Sequence, residues 1–169
     1  MAFRIRPATP DDAPAIARLA RGLNELHHDP LEHFTAEAIL RDGFGPTPYF
    51  SVLVAEHEGA VVGYALYCAS YEPVYAARGL YLSDLFVDPD VRRHGMGRAL
   101  MTAVAGEARR RGATFVGWVS RAWNTEAQAF YRTLGAIEEP VVAHALAFEP
   151  FAALADEGRA ALARPGATR

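Results

Sequence analysis

The sequence contains no lysine: all 17 basic residues among its 169 are arginines. Without lysine the protein cannot carry out Schiff-base chemistry on a lysine, use a lysine general base, or build a phosphate-binding loop with the usual Gly-Lys-Ser/Thr ending. The arginines are balanced by 20 acidic residues, which leaves a net charge of −3. A chain this close to neutral is not expected to bind nucleic acid through its overall charge.

Cysteine and long apolar runs are also scarce. The single cysteine, Cys68, cannot form an internal disulfide. The longest uncharged apolar run, residues 59–71, has 13 residues and two glycines, whereas a membrane span needs roughly 18 or more. The first residues, Met-Ala-Phe-Arg-Ile-Arg-Pro, lack the apolar centre of a signal peptide. We therefore expect a cytoplasmic protein with no membrane contact.

The order of predicted elements indicates an α/β protein. Apolar residues make up 51% of the chain and charged residues 22%, which is a globular composition. Alternation and helical periodicity predict the order β-α-α-β-β-β-α-β-α-β, which implies one domain with a mixed sheet over residues 1–148. An Ala/Arg-rich tail, 149–169, is expected to form a loose helix ending in disorder. The predicted strands are 3–6, 49–56, 60–70, 80–87, 114–120 and 141–148.

The strongest chemical signal is the segment that joins the strand 80–87 to the following helix. It contains Arg92-Arg93-His94-Gly95-Met96-Gly97. The first backbone N–H groups of a helix are unpaired and carry a positive dipole end, and glycines let an anion approach them closely. The segment therefore suits a pyrophosphate. The alternative is a tight strand-to-helix turn with exposed arginines; a dinucleotide-binding fold is disfavoured because position 100 is Leu.

A second signal lies near residue 130. Asn124 is placed to cap a helix, and Ala127, Phe130, Tyr131 and Leu134 then share one helical face. Core packing explains Phe130 and Leu134. The hydroxyl of Tyr131 needs a partner if it is buried, or a chemical role.

Together the two segments resemble the Gcn5-related N-acetyltransferases (GNAT). The loop pattern is Arg92-x-x-Gly95-x-Gly97, and the later pattern is Asn124-x-x-Ala127-x-x-Phe130-Tyr131-x-x-x-Gly135. Further matches extend the resemblance to the diamine (spermidine/spermine) N-acetyltransferase-like branch, over about residues 3–147. These matches are residues 5–9, 42–45, 53–56, 80–82, 84–87 and 123–124.

The resemblance implies a mainly antiparallel mixed sheet flanked by helices, acetyl-CoA as donor, no metal, and a homodimer. It also implies that the backbones of Leu85, Phe86 and Val87 contact the pantetheine. Asn124 and Phe130 would lie near the donor, and Tyr131 would protonate the leaving CoA thiolate. The residues that would wrap the pyrophosphate are Arg92, Arg93, His94, Gly95, Met96, Gly97 and Arg98.

The general base is the open question of the sequence. A lysine-like amine has a pKa of about 10.4, so its proton must be taken up at neutral pH. The diamine branch normally has an acid at the position of Ser83, and serine cannot be a base there. Asp84 is the next candidate, but successive strand side chains point to opposite faces, so it reaches the site only if a β-bulge re-aims it. Ser83 is otherwise expected to order a water that relays the proton to a more distant acid.

The segment 25–33, where histidines interrupt the acids, is expected to be a solvated loop, and its functional interpretation is a loop that recognises the amine. In the functional interpretation, Glu25, His28 and Ser83 are the predicted substrate-binding residues. A metal site from His28, Asp29 and His33 has no recognised ligand spacing. Cys68 offers a rival acyl-enzyme route, but its place within an apolar strand favours an inert thiol.

We therefore expect an N-acetyltransferase that moves the acetyl group of acetyl-CoA to the primary amine of a small molecule by direct attack. A polyamine, a diamine or an amino-acid side-chain amine is the leading substrate, and an aminoglycoside or a protein amine is the alternative. A non-catalytic acyl-CoA sensor is the rival from another class. Ser83 favours the sensor, whereas Tyr131 argues against it because a sensor needs no leaving-group acid.

Overall fold

The computed structural model describes residues 2–162. Its strands are β1 (Arg4–Pro7), β2 (Ser51–His57), β3 (Ala60–Glu72), β4 (Ala77–Val87) and β5 (Phe115–Gly117). Its helices are α1 (Ala13–His27), α2 (Ala36–Gly43), α3 (Met96–Arg110), α4 (Thr125–Thr133) and α5 (Phe148–Leu162). Short 3-10 turns lie at Pro10–Asp12, Pro73–Tyr75 and Pro89–Val91. No helix within these residues is both long and apolar enough to cross a membrane.

The five strands form one open sheet in the order β1-β2-β3-β4-β5. The first three pairings are antiparallel, and β4 pairs with β5 in parallel. The mixed, mainly antiparallel sheet flanked by helices is therefore confirmed. The parallel pair needs a crossover, and α3 supplies it between β4 and β5.

Helices cover both faces of the sheet. On one face, α1 and α2 pack in an apolar cluster with alternate residues of the strands, among them Val54, Tyr64 and Phe86. The intervening residues, such as Leu53 and Leu80, are also buried. Because neighbouring strand side chains point to opposite faces, this second set meets α3, which packs on β2, β3 and β4.

An ion-pair network ties the start of α1 to the first two strands. The guanidinium of Arg6 donates to both oxygens of Asp12 at 2.7 and 2.8 Å, and its Nε donates to Glu56 at 2.7 Å. The backbone N–H of Thr9 donates to Asp12 Oδ2 at 2.7 Å. Thr9 and Asp12 thus form a capping box at the 3-10 turn that leads into α1.

The chain divides into two compact units between Phe130 and Tyr131. The first holds the sheet, α1 to α3 and α4 as far as Phe130. The second holds the end of α4, which Gly135 closes with φ of 79°, and α5. The predicted domain boundary at 148/149 stays a prediction.

The predicted strand over 141–148 is wrong. Its β-branched and apolar residues favour a strand, but a strand also needs a hydrogen-bonded neighbour. Residues 141–147 have no regular structure, and α5 begins at Phe148. The helix expected in the tail is confirmed to Leu162, and residues 163–169 lie outside the described residues.

Candidate active site

A β-bulge in β4 decides where its polar side chains point. Leu66 of β3 lies opposite Asp84, and Tyr67 lies opposite Leu82, so Ser83 has no opposite residue. An extra residue in one strand inverts the alternation of the side chains that follow it. Leu82 therefore faces α3, whereas Asp84 faces α1, beside the exposed Ser83. The sequence analysis required a β-bulge to re-aim Asp84, and the structure has a bulge at that place.

The Asp84 carboxyl is partly buried and accepts a hydrogen bond from Tyr64, whose Oη lies 2.9 Å from Oδ2. Burial raises the pKa of Asp84 above its usual range. The hydrogen bond from Tyr64 and the charge of His27 oppose this rise, and the charge of Asp29 adds to it. The net rise in pKa makes this carboxylate a stronger base than an exposed aspartate, as a general base near neutral pH requires.

His27 and Asp29, the two charged groups that act on Asp84, lie at and just after the end of α1 and contact the segment before α4. The half-buried ring of His27 meets the ring of Trp123 edge to face, with centroids 5.6 Å apart. Its Nδ1 lies 3.9 Å from Asp29 Oδ2. Arg121 Nη2 donates to both oxygens of Asp29 at 2.8 and 2.9 Å. The two segments are therefore joined at two points near Asp84.

Glu25 and His28 occupy different positions on the same helix end. Glu25 is exposed, and its Oε1 lies 3.5 Å from Arg21 Nε. His28 is exposed and caps α1 in the left-handed conformation, with φ of 57°. Sequence reasoning chose them by residue type and missed His27. The available signal was spacing, because His27 follows the buried Leu23 by four residues and so shares its helix face.

One edge of β4 loses its neighbour after Tyr81. The strand β5 pairs with β4 only at Gly79, Leu80 and Tyr81, while β3 accompanies β4 to Val87. Within residues 2–162 no strand pairs with this edge beyond residue 81, so its backbone groups can meet an extended ligand. Residues 85–87 lie on this stretch. The side chain of Phe86 is buried in the core, so only its backbone is available.

The segment between β4 and α3 has the backbone geometry of an anion site. Arg93 and Gly95 have positive φ values of 65° and 84°, and α3 begins directly after Gly95. The N–H groups of its first turn lack acceptors within the helix, and the helix dipole adds positive potential there. This arrangement suits a phosphate group.

The side chains of this segment divide into inward and outward sets. Arg92 is partly buried: its Nε donates to the carbonyl of Val87 at 2.9 Å, and its guanidinium lies 5.3 Å from the centre of the Phe86 ring. Met96 is fully buried, so it offers only its backbone to a ligand. The exposed members are Arg93, His94 and Arg98.

Phe130, from the pattern that begins at Asn124, packs beside the start of α3. Asn124 caps α4, since its Oδ1 accepts from the N–H of Ala127 at 3.1 Å, and its predicted capping role is confirmed. A Cβ added at Gly97 would lie 3.5 Å from Cζ of Phe130. The ring of Phe130 therefore stands beside the first turn of α3.

Tyr131, the predicted proton donor, is the first residue of the second compact unit. It is partly buried, and burial raises the pKa of its hydroxyl. A raised pKa keeps the phenol protonated at neutral pH, which a proton donor requires.

The two alternative sites are a metal site in the segment 25–33 and a nucleophilic Cys68. Within residues 2–162, no three His, Cys, Asp or Glu side chains are placed to hold a metal ion. His33 is exposed, and its Nε2 lies 3.6 Å from Oε1 of the exposed Glu32. Cys68 is partly buried on β3, opposite Tyr81.

Known proteins share this sequence pattern and this fold. The acetyltransferase (GNAT) family matches residues 16–136. Thialysine N-epsilon-acetyltransferase of Bos taurus is 37% identical over 147 residues, which cover 80% of this chain and 85% of the relative. Aminoglycoside N(6')-acetyltransferase type 1 of Stenotrophomonas maltophilia is 34% identical over 152 residues, which cover 88% and 95%. An integron cassette protein from the mobile metagenome of V. cholerae has the same fold, with a TM-score of 0.77 at 21% identity over 92% of this chain and 98% of that one.

Proposed function

Because the chain belongs to the acetyltransferase (GNAT) family, in its diamine branch, we propose that it transfers the acetyl group of acetyl-CoA to a primary amine of a small molecule by direct attack. The leading substrates are a polyamine, a diamine or an amino-acid side-chain amine. The observation that carries this proposal is Asp84, partly buried and turned by the bulge at Ser83 toward α1. A base, an open backbone edge and an anion-binding helix start thus follow one another within residues 83–98.

The donor side of the site is built mainly from backbone. The first turn of α3, with the exposed side chains of Arg93, His94 and Arg98, holds the pyrophosphate of acetyl-CoA. The open edge of β4 at residues 85–87 holds the pantetheine arm. Arg92 supports this edge from inside, because it is bonded to the carbonyl of Val87. Asn124 orders the start of α4 and thereby Phe130, which stands beside Gly97.

The proton from the amine is the main energetic problem. Deprotonating an amine with a pKa of about 10.4 at pH 7 costs about 4.6 kcal/mol. Acetyl-CoA supplies a thioester carbon to which the amine nitrogen bonds as the carbon–sulfur bond breaks. Asp84 takes the proton that the nitrogen loses. A backbone N–H on the open edge of β4 stabilises the negative charge on the thioester oxygen, and Tyr131 donates a proton to the departing sulfur.

The amine side is formed by the end of α1 and by Ser83. His27 and Asp29 lie near Asp84, and Arg121 and Trp123 hold them from the neighbouring segment. An aromatic ring and a carboxylate suit a cationic amine. Ser83 contacts the amine beside Asp84. The exposed Glu25 attracts the cation from the outside of the same helix end, where a ring nitrogen of His28 accepts a hydrogen bond from the amine.

The decisive experiment measures thiol release from acetyl-CoA with a panel of diamines, polyamines, thialysine and aminoglycosides. Asp84→Asn should lower kcat/KM for the best amine by about 10²–10⁴-fold, because the base is lost. Binding of acetyl-CoA should stay unchanged. Asp11→Asn, which neutralises an exposed carboxylate before α1, is the matched control and should retain activity.

Two other results would give a different function. Acetyl-CoA binding with no thiol release from any amine would favour a sensor. A clear preference for aminoglycosides would favour the second candidate, which is supported by the relative from Stenotrophomonas maltophilia. The homodimer and the cytoplasmic location stay predictions, to be checked by light scattering and by cell fractionation.

A further inference from the structure

Tyr64 carries a polar group in a position that is otherwise apolar. It lies on β3 opposite Phe86 and is 0% exposed, within the cluster that joins the sheet to α1 and α2. A fully buried phenol hydroxyl needs a hydrogen-bond partner, and Asp84 Oδ2 at 2.9 Å is that partner. Phenylalanine would fill the same space without a polar group. The hydroxyl therefore points to a role that involves the carboxylate.

We propose that Tyr64 is a positioning residue for Asp84. The Tyr64 hydroxyl holds one carboxylate oxygen of Asp84 inside the fold and stabilises the ionised form of the carboxyl. The other oxygen is left to take the proton of the amine. The inference rests on the proposed role of Asp84 as general base. Within the described residues, Tyr64 makes the one hydrogen bond to this carboxyl. The bulge makes the contact possible, because it brings Asp84 to the face on which Tyr64 lies.

Groups on three segments act on the protonation of Asp84. Burial raises the pKa of its carboxyl. Tyr64 on β3 and His27 at the end of α1 oppose the rise, and Asp29 after α1 increases it. Arg121, from the segment before α4, pairs with Asp29. Loss of the Tyr64 hydroxyl removes one of the two opposing effects, so the pKa of Asp84 rises and the base is protonated over a wider acidic range.

The test is the pH dependence of kcat/KM in Tyr64→Phe. We expect its acidic limb to move to higher pH by about one unit, which is a tenfold change in the ionisation equilibrium, with activity recovering on the alkaline side. Tyr67→Phe is the matched control. Tyr67 is a buried tyrosine of the same strand, but it faces α3, with Arg111 over its ring, and its loss should leave the acidic limb in place.

A direct measurement separates this inference from the proposed function. Carbon-13 NMR of the aspartate carboxyls, with the Asp84 signal identified by its loss in Asp84→Asn, should show the carboxyl pKa rising in Tyr64→Phe. If Asp84→Asn keeps full activity, Asp84 is not the base and the proposed function loses its mechanism. If Asp84→Asn is inactive while Tyr64→Phe changes neither the acidic limb nor the carboxyl pKa, the base stands and the role of Tyr64 is wrong.

A second variant covers the case in which Tyr64→Phe does not fold. Site-specific 3-fluorotyrosine at position 64 keeps the ring and the hydroxyl and makes the phenol a stronger donor. The acidic limb and the carboxyl pKa of Asp84 should then move to lower pH, opposite to the effect of phenylalanine. An unchanged carboxyl pKa in the fluorinated protein overturns the inference.

Discussion

Replacing Gly97 with alanine should stabilise the fold and weaken donor binding at the same time. Gly97 is the second residue of α3, and an added Cβ would meet only the ring of Phe130, at 3.5 Å, which is an ordinary contact. Alanine is favoured over glycine in a helix by up to about 1 kcal/mol. The free energy of unfolding should therefore rise by about 0.5–1 kcal/mol.

The affinity for acetyl-CoA should change in the opposite direction. Nothing in the described part of the chain requires glycine at position 97, so we attribute the glycine to the ligand that approaches the first turn of α3. A methyl group there stands between the ligand and the N–H groups. The Kd for acetyl-CoA should rise at least tenfold, which corresponds to about 1.4 kcal/mol. Urea unfolding measures the first quantity, and isothermal titration calorimetry measures the second.

Gly106→Ala provides the matched control for Gly97→Ala. Gly106 lies in the same helix, is exposed, and has nothing within 4 Å of an added Cβ. It should give the gain in stability without the loss of affinity. If Gly97→Ala binds acetyl-CoA as tightly as the wild type does, the first turn of α3 does not hold the pyrophosphate, and the glycine has another cause.

Two further predictions concern Asp12 and Tyr131. The hydrogen bond from Arg6 lowers the pKa of Asp12 to about 2 from an ordinary 3.8. The ionised Asp12 therefore contributes about 2 kcal/mol to the free energy of unfolding, which is fully present above pH 4 and is lost as the pH falls toward 2. The difference in unfolding free energy between the wild type and Asp12→Asn should shrink over that window in urea titrations; a constant difference would contradict the linkage. Tyr131→Phe keeps the ring and should lower kcat by about 10²–10⁴-fold, with acetyl-CoA affinity and melting temperature nearly unchanged, whereas near-normal kcat would exclude Tyr131 as proton donor.

Local sequence patterns predicted the elements of the fold correctly where the structure also supplies the packing partner that each element needs. The face of α1 given by Ile16, Leu19 and Leu23 is buried, and the glycines at 112 and 135 adopt the positive φ that ends a helix. The segment 141–148 has strand composition but forms no strand. Strand composition describes one chain segment, whereas a strand is a hydrogen-bonded pair, so its existence depends on distant residues.

For the residues of the candidate site, the sequence indicated the residue types more reliably than the directions in which their side chains point. The motif around Gly95 indicated an anion site from spacing alone, because helix geometry fixes where the N–H groups point. Whether Asp84 faces the site depends on how β3 pairs with β4, and that register is not written in the sequence of either strand. The position of His27 was missed for a related reason. Residue type suggested a polar loop, while the helix continues to His27 and carries it toward Asp84.

The bulge at Ser83 divides β4 into two parts whose side-chain alternation differs by one residue. Leu80 and Leu82 face α3 before the bulge, whereas Asp84 and Phe86 face α1 after it. Because Leu82 and Asp84 lie opposite the adjacent residues Tyr67 and Leu66, deleting Ser83 would restore plain alternation and leave both side chains on their present faces. The deletion would remove the bend and the added twist that a bulge gives its strand. The single-residue deletion should therefore keep the hydrogen bond from Tyr64 to Asp84, and a loss of activity in the folded deletion variant would show that the bulge serves to direct the open edge at residues 85–87.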